Sequence, residues 1–228
     1  MSSSYQILSV GGSIIIPSSG FDIEFLKKFR ALILNRVKKG EKFVLVVGGG
    51  ATCRNYQGAA KAVAGLKNVD LDWLGIFGTH FNAEFVRALF GKYAHSEVIK
   101  NPTKKIKTDK PIIVSGGWKP GCSTDYDAVL LAKMFGAKVV VNLSNIDFVY
   151  TKDPKIFPQA QKIERAIWKE FLKIIGDKWV PGANLPFDPK AAKEAQKLKL
   201  KVIFVKGTDL NEVKKVLEGQ KAMGTVIE

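Results

Sequence analysis

The sequence predicts an α/β fold: a three-layer sandwich whose mostly parallel sheet is covered by helices on both faces. Three observations carry that expectation. Strand-like and helix-like segments alternate along the 228 residues. Phe43–Val47 is a continuous apolar run, the pattern of a strand buried on both faces, and Pro111–Val114 and Val139–Leu143 read as further short buried strands. Three strands end in glycine-rich turns: Gly11-Gly12-Ser13, Gly48-Gly49-Gly50 and Ser115-Gly116-Gly117.

Tyr5–Val10 is a short apolar strand running into the first glycine turn, with Ile14–Pro17 continuing and then breaking it. Asp22 is the expected N-cap of a helix through Lys39, where Phe25, Leu26, Phe29, Leu32, Ile33 and Val37 recur at helical spacing and Gly40 supplies the stop. Phe43–Val47 is the second strand, and a helix follows its glycines from about Thr52. Phe81–Phe90 reads as another helix, and Lys92–Ile99 and Lys104–Thr108 flank the Asn101-Pro102 turn as peripheral strands. Pro111–Val114 is again a buried strand, Thr124–Phe135 a helix ended by Gly136, and Val139–Leu143 the next strand. Helix Pro189–Leu198, strand Lys201–Val205, helix Asp209–Glu218 and strand Gly224–Ile227 follow. With no linker or low-complexity segment between them, residues 1–228 are expected to form one domain.

Composition narrows the partners. Hydrophobic residues make up 46% and charged residues 25%, ordinary for a globular chain. The 36 Lys and Arg against 21 Asp and Glu leave a net charge of +15, which favours anions such as nucleotides and phosphorylated metabolites. The densest basic run, Lys100, Lys104, Lys105, Lys107 and Lys110, has no interleaved aromatic residues, so nucleic acid is not the expected partner. Cys53 and Cys122 form no C-x-x-C or Cys/His cluster; a zinc site is not expected, and two thiols fit a reducing compartment. Met1-Ser2-Ser3-Ser4 lacks the features of a signal peptide and no apolar run is long enough to span a membrane, so the cytoplasm is the expected location.

The glycine turns point to phosphate. Ligands of open α/β sheets gather at the carboxyl ends of strands, where glycine lets backbone N–H groups approach an anion and a helix N-terminus adds donors and a favourable dipole. Three such turns suggest a polyphosphate, or two phosphate groups facing each other. The chain contains neither G-x-x-x-x-G-K-[ST] nor a G-x-G-x-x-G after its first strand, which disfavours P-loop and dinucleotide folds.

Asn145-Ile146-Asp147-Phe148-Val149-Tyr150-Thr151-Lys152-Asp153-Pro154 resembles the N-x-D-G-V-Y-x-x-D-P nucleotide-binding motif of the amino-acid-kinase family. Gly48-Gly49-Gly50 followed by Arg54, and Gly116-Gly117 followed by Pro120-Gly121-Cys122-Ser123-Thr124-Asp125, are similar to the UMP kinases of that family, the archaeal type especially. Asp188-Pro189 with Ala191, Ala192 and Lys193 resembles their D-P-x-A-A-K helix start, and Gly224-Thr225-Val226-Ile227 their G-T-x-I ending. The resemblance covers essentially the whole chain. It implies transfer of the ATP γ-phosphoryl group, with Mg2+, to an acceptor phosphate or carboxylate, an acceptor-binding part over about residues 1–140, an ATP-binding part over about 141–228, and a homo-oligomer, usually a hexamer.

The same resemblance distributes roles. Gly11, Gly12, Ser13 and Gly117 would hold ATP phosphates and the transferred phosphoryl group, and Asn145, Asp147, Tyr150 and Asp153 would surround the ATP ribose and adenine. Gly49, Gly50, Arg54, Asp72, Thr79, Asn82 and Thr124 would receive UMP, Arg54 gripping its phosphate and Asp72 its ribose hydroxyls. Asp125 would organise the catalytic groups or the magnesium shell, and Lys193 would neutralise transition-state charge. No protein side chain is expected to bind metal directly. Taken alone, Asp125 and Asp72 also suit helix starts, Lys193 an exposed helix face and Asp153-Pro154 a turn.

Three positions depart from the family pattern. Ser9 and Val10 stand where many members carry a first-strand lysine, Phe148 replaces the motif glycine, and His80 replaces the arginine of a T-R-x-N segment. Rival expectations are a kinase for isopentenyl phosphate or acetylglutamate, and a non-catalytic nucleotide-binding protein of the same fold.

Overall fold

The computed structural model describes residues 4–176 and 185–228. In chain order the elements are β1 (Tyr5–Val10), α1 (Gly12–Ile15), α2 (Ile23–Val37), β2 (Lys42–Val47), α3 (Gly50–Ala64), α4 (Asn68–Phe90), a turn of 3-10 helix (Gly91–Tyr93), β3 (Ile112–Ser115), α5 (Thr124–Phe135), β4 (Val139–Ser144), β5 (Val149–Tyr150), β6 (Lys162–Ile163), β7 (Arg165–Ala166), α6 (Trp168–Ile175), α7 (Pro189–Lys197), β8 (Lys201–Lys206), α8 (Leu210–Leu217) and β9 (Thr225–Ile227). A seven-stranded sheet runs β3-β2-β1-β4-β8-β9-β7. All its pairings are parallel except β8 with β9, and β5 and β6 form a separate antiparallel ribbon.

Side-chain alternation along the strands builds the two outer layers. Ile7, Val44, Val46, Val140, Val202 and Phe204 face one way and pack with α5, α6 and α7. Leu8, Leu45, Val47, Val114, Leu143 and Val205 face the other way and pack with α2, α4 and α8. Both faces of the central strands are therefore covered, which is why β2 reads as an unbroken apolar run and β1 and β4 as mostly apolar ones. Each fully buried aliphatic side chain contributes about 1.5–3 kcal/mol.

The expected Asp22 cap forms, its carboxylate accepting the Phe25 N–H at 2.9 Å; Ser123 caps α5, Asp188 caps α7 with Pro189 in its first turn, and Asp209 caps α8. Gly40 and Gly136 follow α2 and α5 at φ +87° and +67°, the left-handed conformation that glycine adopts without a Cβ penalty.

Several segments differ from their sequence expectations. Residues 14–17 do not extend a strand: Gly12–Ile15 form the one-turn helix α1. The helix expected from about Thr52 begins at Gly50, and that over Phe81–Phe90 is the last part of the 23-residue α4. Residues 92–99 and 104–108 form no strands. Only single bridges, Ala94 to Ile112 and Ile99 to Ser115, tie that segment to the edge strand β3. Its lysines project from a covering loop, one of the ways an exposed sheet edge is blunted. The short β5, β6 and β7 and the amphipathic α6 had no counterpart in the sequence expectations.

Candidate functional site

The carboxyl ends of β1, β2, β3 and β4 lie side by side, and the glycine turns meet there. The first two touch backbone to backbone. A Cβ on Gly12 would stand 2.0 Å from Gly50 N and 2.5 Å from Gly49 C, and one on Gly50, whose φ is +59°, would stand 2.3 Å from Gly12 O. Only glycine permits this approach. The turn is tied down by Gly48 N donating to Val10 O and by Gly11 N donating to Leu143 O, both at 2.9 Å. Among the residues expected to hold phosphate, the Gly11 and Gly117 amides are thus engaged within the protein: Gly11 N with Leu143 O, and Gly117 N with Thr79 Oγ1 at 2.7 Å. Gly12 is the first residue of α1, where N–H groups lack an intrahelical acceptor.

A cavity of about 160 Å3 opens beside these turns, and Gly49, Asp72, Thr79, Gly117 and Thr124 all line it. Cys53, Gln57 and Cys122 complete much of its wall. Asp72 lies within α4 and does not cap it; its Oδ2 accepts the N–H of Gly121 at 2.9 Å. Lys190 Nζ donates to the carbonyl of the same Gly121, so the loop from Gly116 to Ser123 is held from α4 and from α7. Asn82 is fully buried and donates to Gly48 O and Gly49 O at 3.0 and 2.8 Å, bracing the turn from behind; its Oδ1 has no partner. Arg54 is exposed at the start of the second turn of α3 and does not line the cavity.

His80, in place of an arginine, points its Nε2 at Gly117 O at 2.7 Å. A carbonyl only accepts, so Nε2 carries the proton. Burial, the main cause, lowers its pKa and favours the neutral ring.

Carboxylates gather beneath the loop. Asp125 Oδ1 accepts from Ser9 Oγ and Asn142 Nδ2, each at 2.9 Å. Ser9 therefore occupies the expected lysine position as a hydrogen-bond donor without charge. Burial, opposed by these hydrogen bonds and reinforced by nearby Asp188, pushes Asp125 up to about 7. Asp127 is fully buried, with Oδ2 accepting from Trp118 N at 3.1 Å and Oδ1 unpartnered; burial, with repulsion from Asp125 and Asp188, pushes it to about 8. Asp188 caps α7 and also accepts from Ser123 Oγ at 2.7 Å, joining the N-termini of α5 and α7. Ser9, Asn142 and Asp127 were not anticipated as site residues. Asn142 had a signal, as the one polar residue within the apolar Val139–Leu143 run.

The remaining candidates lie elsewhere. Lys193 is exposed on α7 and lines a groove of about 760 Å3 with Trp118, Lys119, Cys122, Lys190 and Lys197. Cys122 lines both the groove and the smaller cavity. Ser13 is in α1. Asn145 is exposed after β4, Asp147 pairs with Lys206 at 2.9 Å, Tyr150 is in β5, and Asp153 Oδ1 accepts the Lys155 N–H in an Asx turn. Phe148 keeps a negative φ, so its backbone does not demand the motif's glycine; Lys162 Nζ sits 4.9 Å from its ring centre. Among the described residues, no group of three or more His, Cys, Asp or Glu side chains is placed to hold a metal ion, and no helix is long and apolar enough to cross a membrane.

Comparison with known proteins agrees with this architecture. A uridylate kinase of Methanococcus vannielii is 33% identical over 225 residues, covering 97% of this chain and 98% of the relative, and one of Pyrococcus abyssi has the same identity and coverage. The crystal structure of uridylate kinase from Archaeoglobus fulgidus superposes with a TM-score of 0.82 at 30% identity, covering 98% of this chain and all of the other. A UMP kinase structure from Bacillus anthracis, 20% identical, shares the fold with a TM-score of 0.77. The family model for amino acid kinases matches residues 4–206, and the chain belongs to the amino acid kinase family.

Proposed function

We propose that this protein is a UMP kinase, a phosphotransferase that moves the γ-phosphoryl group of ATP to UMP and yields UDP and ADP in pyrimidine nucleotide synthesis. The observation that carries the reading is identity of about a third with archaeal uridylate kinases across nearly the full chain, joined to a cavity on which Gly49, Asp72, Thr79, Gly117 and Thr124 converge. Phosphoryl transfer needs alignment and charge stabilisation more than covalent chemistry. Residues up to about 140 would bind the acceptor and those beyond about 141 the ATP, with both phosphate chains meeting at the paired turns. Gly12, Gly49 and Gly50 would lie against phosphate. Asp72 would exchange Gly121 N–H for the ribose hydroxyls of UMP, and Arg54 would reach back from α3 to its phosphate. Asn145, Asp147, Tyr150 and Asp153 would line the ATP side.

Asp125, held by Ser9 and Asn142, would position the groups around the transferred phosphoryl. Lys193 would supply positive charge from α7, with Lys190 fastening the loop. When bound, Mg2+ would neutralise phosphate charge and be held mainly by phosphate oxygens and water, its usual mode with nucleotides. A homo-oligomer working in the cytoplasm completes the reading. The test is ADP release from MgATP with UMP, CMP, AMP, isopentenyl phosphate or acetylglutamate as acceptor. UMP is expected to be the best, and no turnover with UMP would refute the proposal.

A further inference from the structure

Two surface grooves gather lysines around one turn. The first, of about 590 Å3, runs along the loop that covers the β3 edge, and Lys100, Lys104, Lys105 and Lys107 line it. The second is the groove of about 760 Å3 outside the Gly116–Ser123 loop, lined by Lys119, Lys190, Lys193 and Lys197. All of these lysines are exposed. Asn101 and Lys104 line the first groove and Thr103, between them in the chain, lines the second, so the two join at that turn. Among the described lining residues only Glu84, Glu97 and Glu194 carry the opposite charge. Glu84 already pairs with Arg87, and Glu194 pairs with Lys133 at 3.7 Å and Lys197 at 3.8 Å.

The walls of these grooves are fastened to the fold. Asn101 Oδ1 accepts from Thr103 N at 2.9 Å and from Thr103 Oγ1 at 2.7 Å, Pro102 is buried, and Ile106 packs against the core. The lysines between these anchors are left pointing outward. In sequence this basic run has no aromatic neighbour; the fold brings Trp118 to it, in the groove that Thr103 helps to line. Trp118 is partly exposed, and its backbone N–H is tied to the buried Asp127 carboxylate at 3.1 Å. Lys119 Nζ lies 3.9 Å from the centre of its ring, a cation on an indole face that can leave it for a phosphate. Tyr126 and Pro120 add flat apolar surface to the same groove.

Charge and shape identify the occupant. A compact anion is held by cations that converge on a point. These lysines are strung along two joined grooves, which suits a ligand with charge repeated along its length. Partly exposed rings in the groove wall suit a ligand that also carries flat rings. A double helix keeps its bases paired and stacked inside and would meet only the lysines. An acidic peptide or a lipid surface would leave the Trp118 and Tyr126 faces unused. A single strand offers both a row of phosphates and free base faces. We infer that the joined grooves bind a single-stranded polynucleotide, its phosphates along the lysines and a base stacked on Trp118. The Gly116–Ser123 loop separates this strand from the small cavity, with Cys122 alone lining both spaces. The inference therefore does not depend on which acceptor that cavity takes.

Fluorescence anisotropy of the whole protein tests this, with an unstructured strand of about 15 nucleotides, RNA or DNA, lacking terminal phosphates. Binding at micromolar protein or below is expected at low salt, and the tighter of the two sugars names the ligand. The logarithm of the association constant should fall against that of salt with a slope of roughly −3 to −5.5, about 0.7 for each phosphate neutralised. Lys104→Glu combined with Lys105→Glu should flatten that slope by about 1.4 or more. Trp118→Ala should weaken binding about 5- to 100-fold at nearly the same slope, the value of one base–aromatic stack, and Trp118→Phe should recover most of the loss. No binding at low salt, a duplex of the same sequence bound as tightly as the strand, full affinity in Trp118→Ala, or displacement by millimolar UMP overturns the inference. Should a variant misfold, ultraviolet crosslinking of the strand to wild type decides. Crosslinked peptides are expected from residues 100–107 and 118–126, and crosslinks that avoid both overturn the inference.

Discussion

Replacing Gly12 with alanine tests the site at its narrowest point. The added methyl would lie 2.0 Å from Gly50 N, 2.5 Å from Gly49 C and 2.6 Å from Gly48 C, where ordinary contacts are 3.4–4 Å. All three neighbours are backbone, so no side chain can swing aside. The two turns must separate by about 1 Å or more, against the hydrogen bond from Gly48 N to Val10 O and the buried brace of Asn82. Overpacking of this kind costs about 1–3 kcal/mol of stability. The functional loss is expected to be larger, because a ~1 Å misplacement of reacting groups costs on the order of 100-fold. Gly12→Ala should therefore fold, melt several degrees lower, and lose roughly two orders of magnitude in kcat/KM for UMP, read as ADP release well below its melting temperature. A folded Gly12→Ala enzyme retaining kcat/KM within about twofold of wild type would refute the claim that these turns hold the phosphates in register.

Three further outcomes follow from the site. Asp125 and Asp127, raised to about 7 and about 8, keep protons in the folded state that the unfolded chain releases near 3.8, so folding stability is fullest below that value and falls as pH rises to 8. The slope is at most ~1.4 kcal/mol per pH unit for each titrating group, and melting of the nucleotide-free protein across this range should show Asp127→Asn to have the flatter profile; an unchanged slope would remove burial of Asp127 as its cause. Asp72→Ala should raise the KM for UMP by about tenfold or more with little change in that for ATP, because a hydrogen-bonding carboxylate is worth about 1.5–3 kcal/mol; an unaltered UMP KM would move the ribose elsewhere. Lys190→Met should speed proteolytic cleavage between Gly116 and Ser123 and raise the UMP KM by roughly two- to tenfold, the value of one partly exposed hydrogen bond. Unchanged cleavage would mean that the Asp72 contact holds the loop alone.

The elements legible in the sequence were those whose local signals and tertiary surroundings agree. The β1, β2 and β4 runs are mostly apolar because both their faces are covered, and α2 and α5 carry their own caps and left-handed glycine stops. Residues 92–108 misled because isolated β-like stretches are indistinguishable from edge strands until pairing is known, and only Ala94 and Ile99 find partners. The start of α4 was missed because Val69, Trp73 and Phe77 face outward, so the periodicity of its first turns does not mark the core. In the site, the glycines were legible because backbone approach demands them. The placement of Lys190 at Gly121 and of Lys193 outside the small cavity was not, since both lysines sit near the start of one helix and its rotation about the axis follows from packing of Ala191, Ala192 and Ala195.

That packing has a consequence for how the acceptor enters. The cavity of about 160 Å3 is smaller than the ~300 Å3 at which ligand pockets begin. What closes it is the loop held by Asp72 Oδ2 on Gly121 N and by Lys190 Nζ on Gly121 O. In the proposed reaction the ribose hydroxyls bind the same Asp72 carboxylate. A hydroxyl that takes the place of the Gly121 amide exchanges one donor for another, so the carboxylate is satisfied in both states and opening leaves no buried charge without a partner. Gly121 already adopts φ +75°, where glycine carries no steric penalty and the turn can rearrange. Acceptor binding and loop release are then a single exchange centred on Asp72. In the proposed reaction the carboxylate would therefore act twice, first by holding the loop through Gly121 and then by binding the acceptor, and Asp72→Ala should loosen the loop even when no nucleotide is present.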